Sequence, residues 1–509
     1  MSSKATPTFV HELPLRVTRA QGSALEKRFG AAHFAYNVVL QELLVRLERM
    51  RGDPRYAAAC GAPRYDSFQR KARSEAFSSL RQQHGFSEYA AHEVVARHIR
   101  GSGYLQLLID SHTAQTLASR AFKACNAYAL GIHGRPRFKR SGSISSIEGK
   151  GPTSPLNWRD DRVVWGGRRR DRALTLRPIF DRRDRAGVQA HALAGKVKYV
   201  RLVRRVIHEQ TRFFAQLVCE GEPLQRFEPR EGVAAIDLGP STAAIVAHDR
   251  AALVSFLPEI GEDVAAKRRL QRAMDRSRRA SNPHCFNKDG TWRKGSKLTQ
   301  RSKHYGRLRA CLAEQERIMA QRRDRAHGRL SNIVMRDFGR VVRTERLSKK
   351  AWQKRWGRRM KATAPAMFME KVSRKAVNAG GALVEFNAGQ YRLSQFDHTQ
   401  GDFVKKLLSV RVHRLRDGSG QVVQRDLYSA WLALFVSADG LDASRADEAW
   451  AVAYPLLAHA ASNPVKAASW RPLATTRPLK DVRAARMQKG QDRAATRPAK
   501  FAVESSATS

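Results

Sequence analysis

Apolar residues recur at three- and four-residue steps over residues 24–50. Leu25, Phe29, Ala32, Tyr36, Val39, Leu43 and Leu47 fall on one stripe, and the spacing predicts a long amphipathic helix. Ahead of it, FVHELPLRV at residues 9–17 reads as a short strand carrying Pro14. A polar link rich in Gly and Pro spans residues 51–64, and residues 67–133 read as further helices broken at Gly101 and Gly103. At Gly134 the texture changes. GRPRFKRSGSISS is basic and punctuated by Gly, Pro and Ser, and residues 145–220 read as short strands between turns. The best antiparallel pair is 197–207 with 213–219.

The second half alternates strand and helix patterns. VAAIDLGPSTAAIVA, residues 233–247, predicts two adjacent strands with a tight turn between them and Asp237 held at the first strand's end. Gly239 is expected to let the backbone pass close to whatever the carboxylate binds, and Pro240 to pre-set the turn. Residues 264–280, VAAKRRLQRAMDRSRRA, predict a helix with one modest apolar stripe. Its other faces carry Lys267, Arg268, Arg269, Arg272, Arg276, Arg278 and Arg279, a one-sided charge that repels itself without an anionic partner. Residues 301–338 predict a second long helix ending at Gly339, and 341–347 a short strand with Glu345 near its end. A helix over 365–380, a strand over 381–386 and a helix opening at Asp426 follow. Residues 443–461 read as helix, and the basic stretch beyond them as a disordered tail.

Composition narrows what these elements serve. The chain has 509 residues, with 94 Lys plus Arg against 46 Asp plus Glu, a net charge of +48. Its 42% hydrophobic content suffices for real cores, so it is not a disordered polycation. An excess of this size destabilises a compact state unless polyanions neutralise it, and nucleic acid is the expected partner. Arg135, Arg137 and Lys139 in the basic punctuated stretch join the helix cations as candidate contacts. No apolar run approaches a membrane span and residues 1–20 lack a signal-peptide core, so the expectation is a cytoplasmic, nucleoid-associated protein of a bacterial cell with no membrane partner. The five cysteines, Cys60, Cys125, Cys219, Cys285 and Cys311, are scattered without a Cys-x-x-Cys pair, which argues against a disulfide scaffold and a paired-cysteine zinc site.

A two-metal nuclease needs three or four carboxylates converging from strand ends and a helix. Asp237, Glu345 and Asp426 occur in that order at such places, with Glu385 the rival for the second position. The surrounding motifs are more specific. AAIDLGPSTAAIV, RLQRAMDRSRRASNP, HGRLSN with RTERLSKKAWQKRWG, and QRDLYSAWLA resemble the successive RuvC motifs and arginine-rich bridge helix of TnpB and the compact type V CRISPR effectors, over most of residues 229–437. The resemblance implies a multidomain, bilobed α+β fold. Its parts would be the first strand of a wedge barrel (1–20), a helical recognition module (21–133) and a small antiparallel β-barrel wedge domain (134–228). An RNase H-like RuvC nuclease domain (229–437) would follow, with its bridge helix at about 262–280, and then an Ala- and Arg-rich C-terminal segment (438–509). It further implies guide RNA and double-stranded target DNA as partners, recognition of a short flanking motif, and Asp237, Glu345 and Asp426 as magnesium ligands of a two-metal site that leaves 5′-phosphate ends. Oligomeric state, monomer or dimer, stays open.

Two departures stand out. The insert at about 394–420 resembles that family's zinc ribbon with every cysteine replaced: Asp397, Gln400, Leu415 and Asp417 stand at the ligand positions, while His413, Gly401 and Gly418 persist. His398 adds a donor nearby, and a zinc-free remnant loop is the expectation. After Asp426, Leu427, Tyr428, Ser429 and Ala430 stand where many members place Asn and Ala. The leading expectation is therefore an RNA-guided, magnesium-dependent DNA endonuclease. The alternatives are a guided DNA binder that silences transcription or recruits a partner with little cutting, and a guide-independent transposon-associated nuclease.

Overall fold

Strand β1 (Thr8–Arg16) passes into helix α1 (Arg19–Gly52) at Thr18, whose hydroxyl accepts from the Gln21 amide while the Gln21 side chain accepts from the Thr18 amide. This reciprocal cap starts the helix ahead of its apolar stripe. The computed structural model describes residues 6–166, 173–256, 260–346, 348–407, 409–437, 439–466 and 470, and the chain divides into two units, Met1–Arg226 and Phe227–Ser509.

In the first unit α1 is followed by α2 (Pro54–Gly61), α3 (Ser67–Gln83), α4 (Glu88–Arg100), α5 (Gly103–Leu108) and α6 (Ser111–Ala129). The predicted stripe is buried: Leu25, Phe29, Val39, Leu43 and Leu47 share one core with Val94 of α4 and Leu117 of α6. Strands β2 (Ser146–Glu148), β3 (Leu156–Arg159), β4 (Arg162–Trp165) and β5 (Leu174–Pro178) come next. A short helix α7 (Val188–Ala194), which periodicity did not predict, precedes β6 (Val197–Ile207) and β7 (Gln210–Glu220). All of these strands join one antiparallel sheet in the order β2-β6-β7-β1-β5-β4-β3. The β6–β7 hairpin turns through His208 and Glu209, both left-handed (φ 48° and 64°). β3 packs back against β6, so the sheet curls towards a barrel, although no backbone pairing closes it among the described residues.

The second unit opens with a meander, β8 (Val233–Leu238), β9 (Thr242–Ala247) and β10 (Arg250–Ser255). Two strands were expected there, and β10 is the third. Then come α8 (Ile260–Ser281) and α9 (Lys303–Ile333), the latter closing in a π-helical turn over Val334–Phe338. β11 (Val341–Glu345) ends at Glu345, short of the expected 347. It is followed by α10 (Lys349–Thr363), α11 (Pro365–Asn378), β12 (Ala382–Phe386) and α12 (Ala388–Tyr391). Two small hairpins pair β13 (Phe396–Asp397) with β14 (Asp402–Phe403), and β15 (Val412–Arg414) with β16 (Val422–Gln424). Finally α13 (Arg425–Leu432), α14 (Ala443–Ser462) and β17 (Val465–Lys466) complete the described chain.

The main sheet runs β12-β11-β8-β9-β10-β17, with β11 parallel to both β8 and β12. Strand alternation gives it two cores. Ala234, Ile236 and Leu238 face α9 and α11, whereas Ala235 faces α13 and α14. The segment beyond 437 is continuous with this sheet: α14 packs on β10, and Val254 and Ser255 of β10 pair with Val465 and Lys466 of β17. The expected basic tail, 471–509, lies outside the described residues. No helix among the described residues is long and apolar enough to cross a membrane.

Candidate active site

Asp237 follows Ile236 on β8, so its side chain takes the opposite face from Ile236, the face shared with Ala235. Thr344 of β11 pairs with Ile236, which brings Glu345 level with Asp237 on the same face. Asp426 lies in the first turn of α13, the helix that packs on this face of β8 and β9. The three sequence-predicted acids thus come to one face of the sheet, from two strand ends and one helix start. Glu385 does not join them. It pairs with Thr344, so it projects to the other side of the sheet from Glu345.

The electrostatics record the meeting. Burial first, then the charges of Glu345 and Asp426, push the Asp237 carboxyl well above the usual carboxylate range. The Ser429 hydroxyl hydrogen-bonds that carboxyl, and with the Arg425 charge it works in the opposite direction. Burial pushes Glu345 up to about 7. Asp426 has the helix N-terminus beneath it, with Arg411 and Arg425 guanidinium nitrogens at 3.8 and 3.7 Å.

Among the described residues no group of three or more His, Cys, Asp or Glu side chains stands close enough to hold a metal ion together. Magnesium does not require one, since it takes one or two carboxylates and completes its octahedron with waters and substrate phosphates. Three oxygen-only donors, two of whose charges raise the proton affinity of Asp237, are a donor set that fits such a cation. Gly239 has a second reason besides the expected one. A Cβ there would meet the Thr242 hydroxyl at 2.8 Å, and the Gly239 amide donates to the Thr242 carbonyl at 2.8 Å. The glycine thus also serves the turn's own closure.

Behind α13 lies the cysteine-free insert. The four replaced positions have separate fates. Asp397 is fully buried and accepts from the Thr399 hydroxyl (2.7 Å) and from Arg416 Nε (3.3 Å). Gln400 reaches the Arg416 carbonyl at 3.4 Å, Leu415 enters the core, and Asp417 is exposed and caps a turn by accepting from Ser419. The two histidines clamp Tyr428 instead. His413 stacks on its ring at 4.4 Å and 21°, and His398 Nδ1 lies 2.7 Å from its hydroxyl. Lys406 contacts His413 Nδ1, and burial pulls the Lys406 ammonium down to about 8. Trp431 and Trp450 close round His398 at 5.0 and 4.9 Å. Tyr428 and Ser429 therefore join Asp426 to the insert through one helix. Sequence reading marked these positions only as a departure. Ser429 stands three residues after Asp426, which places both on neighbouring helical positions, and that spacing was the available signal.

The basic helix α8 is less self-repelling than its sequence implies, because α9 partners it. Lys267 pairs with Glu316, while the buried Asp263 accepts from Gln315 (3.0 Å) and Arg322 (2.7 Å). Arg278 pairs with Asp275 at 2.8 Å, and Arg278 and Arg279 each lie 5.8 Å from the Phe286 ring centre. Arg268, Arg269, Arg272 and Arg276 are exposed. In the first unit Arg135 pairs with Glu48 (2.9 Å), Arg137 is exposed, and the Lys139 backbone is held by Asn37 (2.8 and 2.9 Å) with its ammonium 5.7 Å from the Tyr36 ring centre.

No family model matches the chain, and no curated protein matches it. Among solved structures, the chain is similar to that of a Cas12f1–sgRNA–target DNA complex, at 12% identity and a TM-score of 0.45, covering 85% of this chain and 98% of that one. A CRISPR-Cas12f ternary complex matches at 12% identity and a TM-score of 0.29, covering 85% of this chain and 99% of that one.

Proposed function

We propose that the chain is an RNA-guided DNA-binding effector whose Asp237, Glu345 and Asp426 site hydrolyses phosphodiester bonds of target DNA with magnesium. The observation that carries this reading is the Asp237 carboxyl, held on a strand end and driven towards protonation by burial and by two further acids. A chain of net charge +48 with that site suits a polyanionic substrate. The divalent ion, when bound, activates the attacking water and stabilises the leaving oxygen. The chain's own residues supply the rest. Asp237 and Glu345 offer oxygen donors from adjacent strands, Asp426 approaches from the helix, and Ser429 fixes the Asp237 carboxyl by a hydrogen bond. The exposed arginines of α8 bind guide backbone, while Arg135, Arg137 and Lys139 with the curled sheet grip duplex and read the flanking motif.

The test uses the full chain purified with its RNA. Magnesium-dependent cutting of a DNA complementary to that RNA is expected, and Asp237→Ala should lower it at least about a hundred-fold while leaving target binding. If the wild-type chain binds and silences a target no better than Asp237→Ala, and neither cuts, the nuclease assignment is wrong. The rebuilt, cysteine-free insert behind α13 favours that second reading, a guided binder that blocks transcription. Cutting by protein stripped of RNA would instead support a guide-independent nuclease.

A further inference from the structure

The parallel strands β8, β11 and β12 present their carboxyl ends together, the position where open α/β sheets bind ligands. Between β11 and β12 on one side and α10 and α11 on the other lies a cavity of about 520 Å³, within the range of small-molecule sites. Glu345, at the end of β11, is on its wall, while the rest of the cavity lies on the Glu385 face of the sheet, so a strand reaching both would pass round the strand ends. Trp352 of α10 and Met369 of α11 give it an apolar lining, and Glu370 and Glu385 add acceptors, with Arg346 beside them. The aromatic wall is held in place. Trp352 meets Trp356 edge to face at 5.6 Å, where α10 breaks from helical geometry (φ −128°, ψ 25°). At its far end α10 is tied to the active-site hairpin by the Thr363 hydroxyl, which donates to the Pro240 carbonyl at 2.6 Å.

An aromatic platform in a cavity beside a strand-cutting site suits a flat, unstacked ring. Carboxylates only accept hydrogen bonds, so they favour bases that present an amine and disfavour the two carbonyls of thymine. Arg346, whose Nε lies 3.9 Å from a Glu385 oxygen, and Arg374 are the cations of the lining that can take the phosphate such a nucleotide carries. We propose that this cavity takes one unstacked nucleobase of the DNA single strand presented to Asp237 and Glu345, and that it prefers cytosine and adenine to thymine. The proposal rests on the nuclease reading given above. It also explains what α10 does, which that reading leaves unused.

Fluorescence anisotropy of labelled oligodeoxycytidine, oligodeoxyadenosine and oligothymidine, at salt high enough to suppress phosphate-only binding, tests it on the full chain. Cytosine and adenine strands should bind roughly ten-fold tighter than thymine strands. Trp352→Ala should weaken all three by roughly ten-fold or more, and Trp352→Phe should restore most of it. Glu370→Gln should narrow the base preference while leaving thymine binding in place. Melting curves on each variant separate lost folding from lost stacking, and the Phe variant keeps the test alive if the Ala variant does not fold. Equal binding of the three strands by wild type, or an unchanged profile in both Trp352 variants, overturns the proposal. Magnesium-dependent cutting measured on the same preparations keeps the two claims apart. Cutting without base preference sinks the cavity alone, and Trp352-dependent preference without cutting sinks the nuclease reading.

Discussion

Burial alone holds the Glu345 proton up to about 7, and that makes the free protein's stability depend on pH. The folded group binds its proton more tightly than the unfolded one. Its contribution is therefore fully present below about 4.5 and is lost as pH rises through about 7. The loss is on the order of 3 kcal/mol. In chelator, wild-type melting should fall between pH 5 and pH 8 more steeply than that of Glu345→Gln; parallel slopes would refute the assignment. Added magnesium should recover most of the deficit at pH 8, because it binds the folded ionised site and not the open chain. The acids themselves were legible in the sequence, since a carboxylate after an apolar strand or at a helix start has few structural reasons to be there. Which acid joins the site was settled by pleat. Glu345 ends β11 and Glu385 stands one residue before the end of β12, and only register shows that they face opposite ways.

Helix α13 carries the acid site on one side and the insert on the other, and Tyr428 is the joint. Removing its hydroxyl with Tyr428→Phe forfeits the His398 contacts and should cost about 1 kcal/mol. Tyr428→Ala should cost about 3–5 kcal/mol through the cavity it leaves. Both are readable by denaturant midpoint, and cutting should fall further in the Ala variant, because Asp426 and Ser429 ride on the same helix. A midpoint unmoved by Tyr428→Ala would mean that the insert does not brace the helix. Helix α8 was legible from its own sequence, yet its partners were not: Lys267 and Glu316 lie far apart in the chain and meet only when α8 and α9 pack. Helix α10 escaped because it has no apolar stripe to read. KKAWQKRWGRRMKAT is dominated by Lys and Arg, and Trp352 faces a cavity rather than a core. Strand β10 escaped because RAALVS is too short for periodicity to separate strand from helix.

At the scale of the whole chain, charge dominates. A net +48 spread over two units means that polyanion binding and folding stability are linked. Replacing the exposed Arg268, Arg269, Arg272 and Arg276 of α8 together by Gln should weaken RNA binding and flatten its log–log salt dependence by up to about 3, at roughly 0.7 per lost contact to a single strand. An unchanged slope in a salt titration would place the RNA elsewhere. Composition predicted the polyanion, and the elements that would present it were largely predicted too. What stayed hidden was how the chain answers its own charge through pairs such as Arg205 with Glu12, which join β6 to β1 across most of the unit's length. The rebuilt insert has a consequence for where such a protein can work. Asp397, Gln400, Leu415 and Asp417 carry no sulfur, and packed rings and ion pairs hold the segment together. The segment at 394–420 holds neither Cys nor Met, so a burst of peroxide finds no sulfur there to oxidise, and the contacts that fold it should outlast the oxidant.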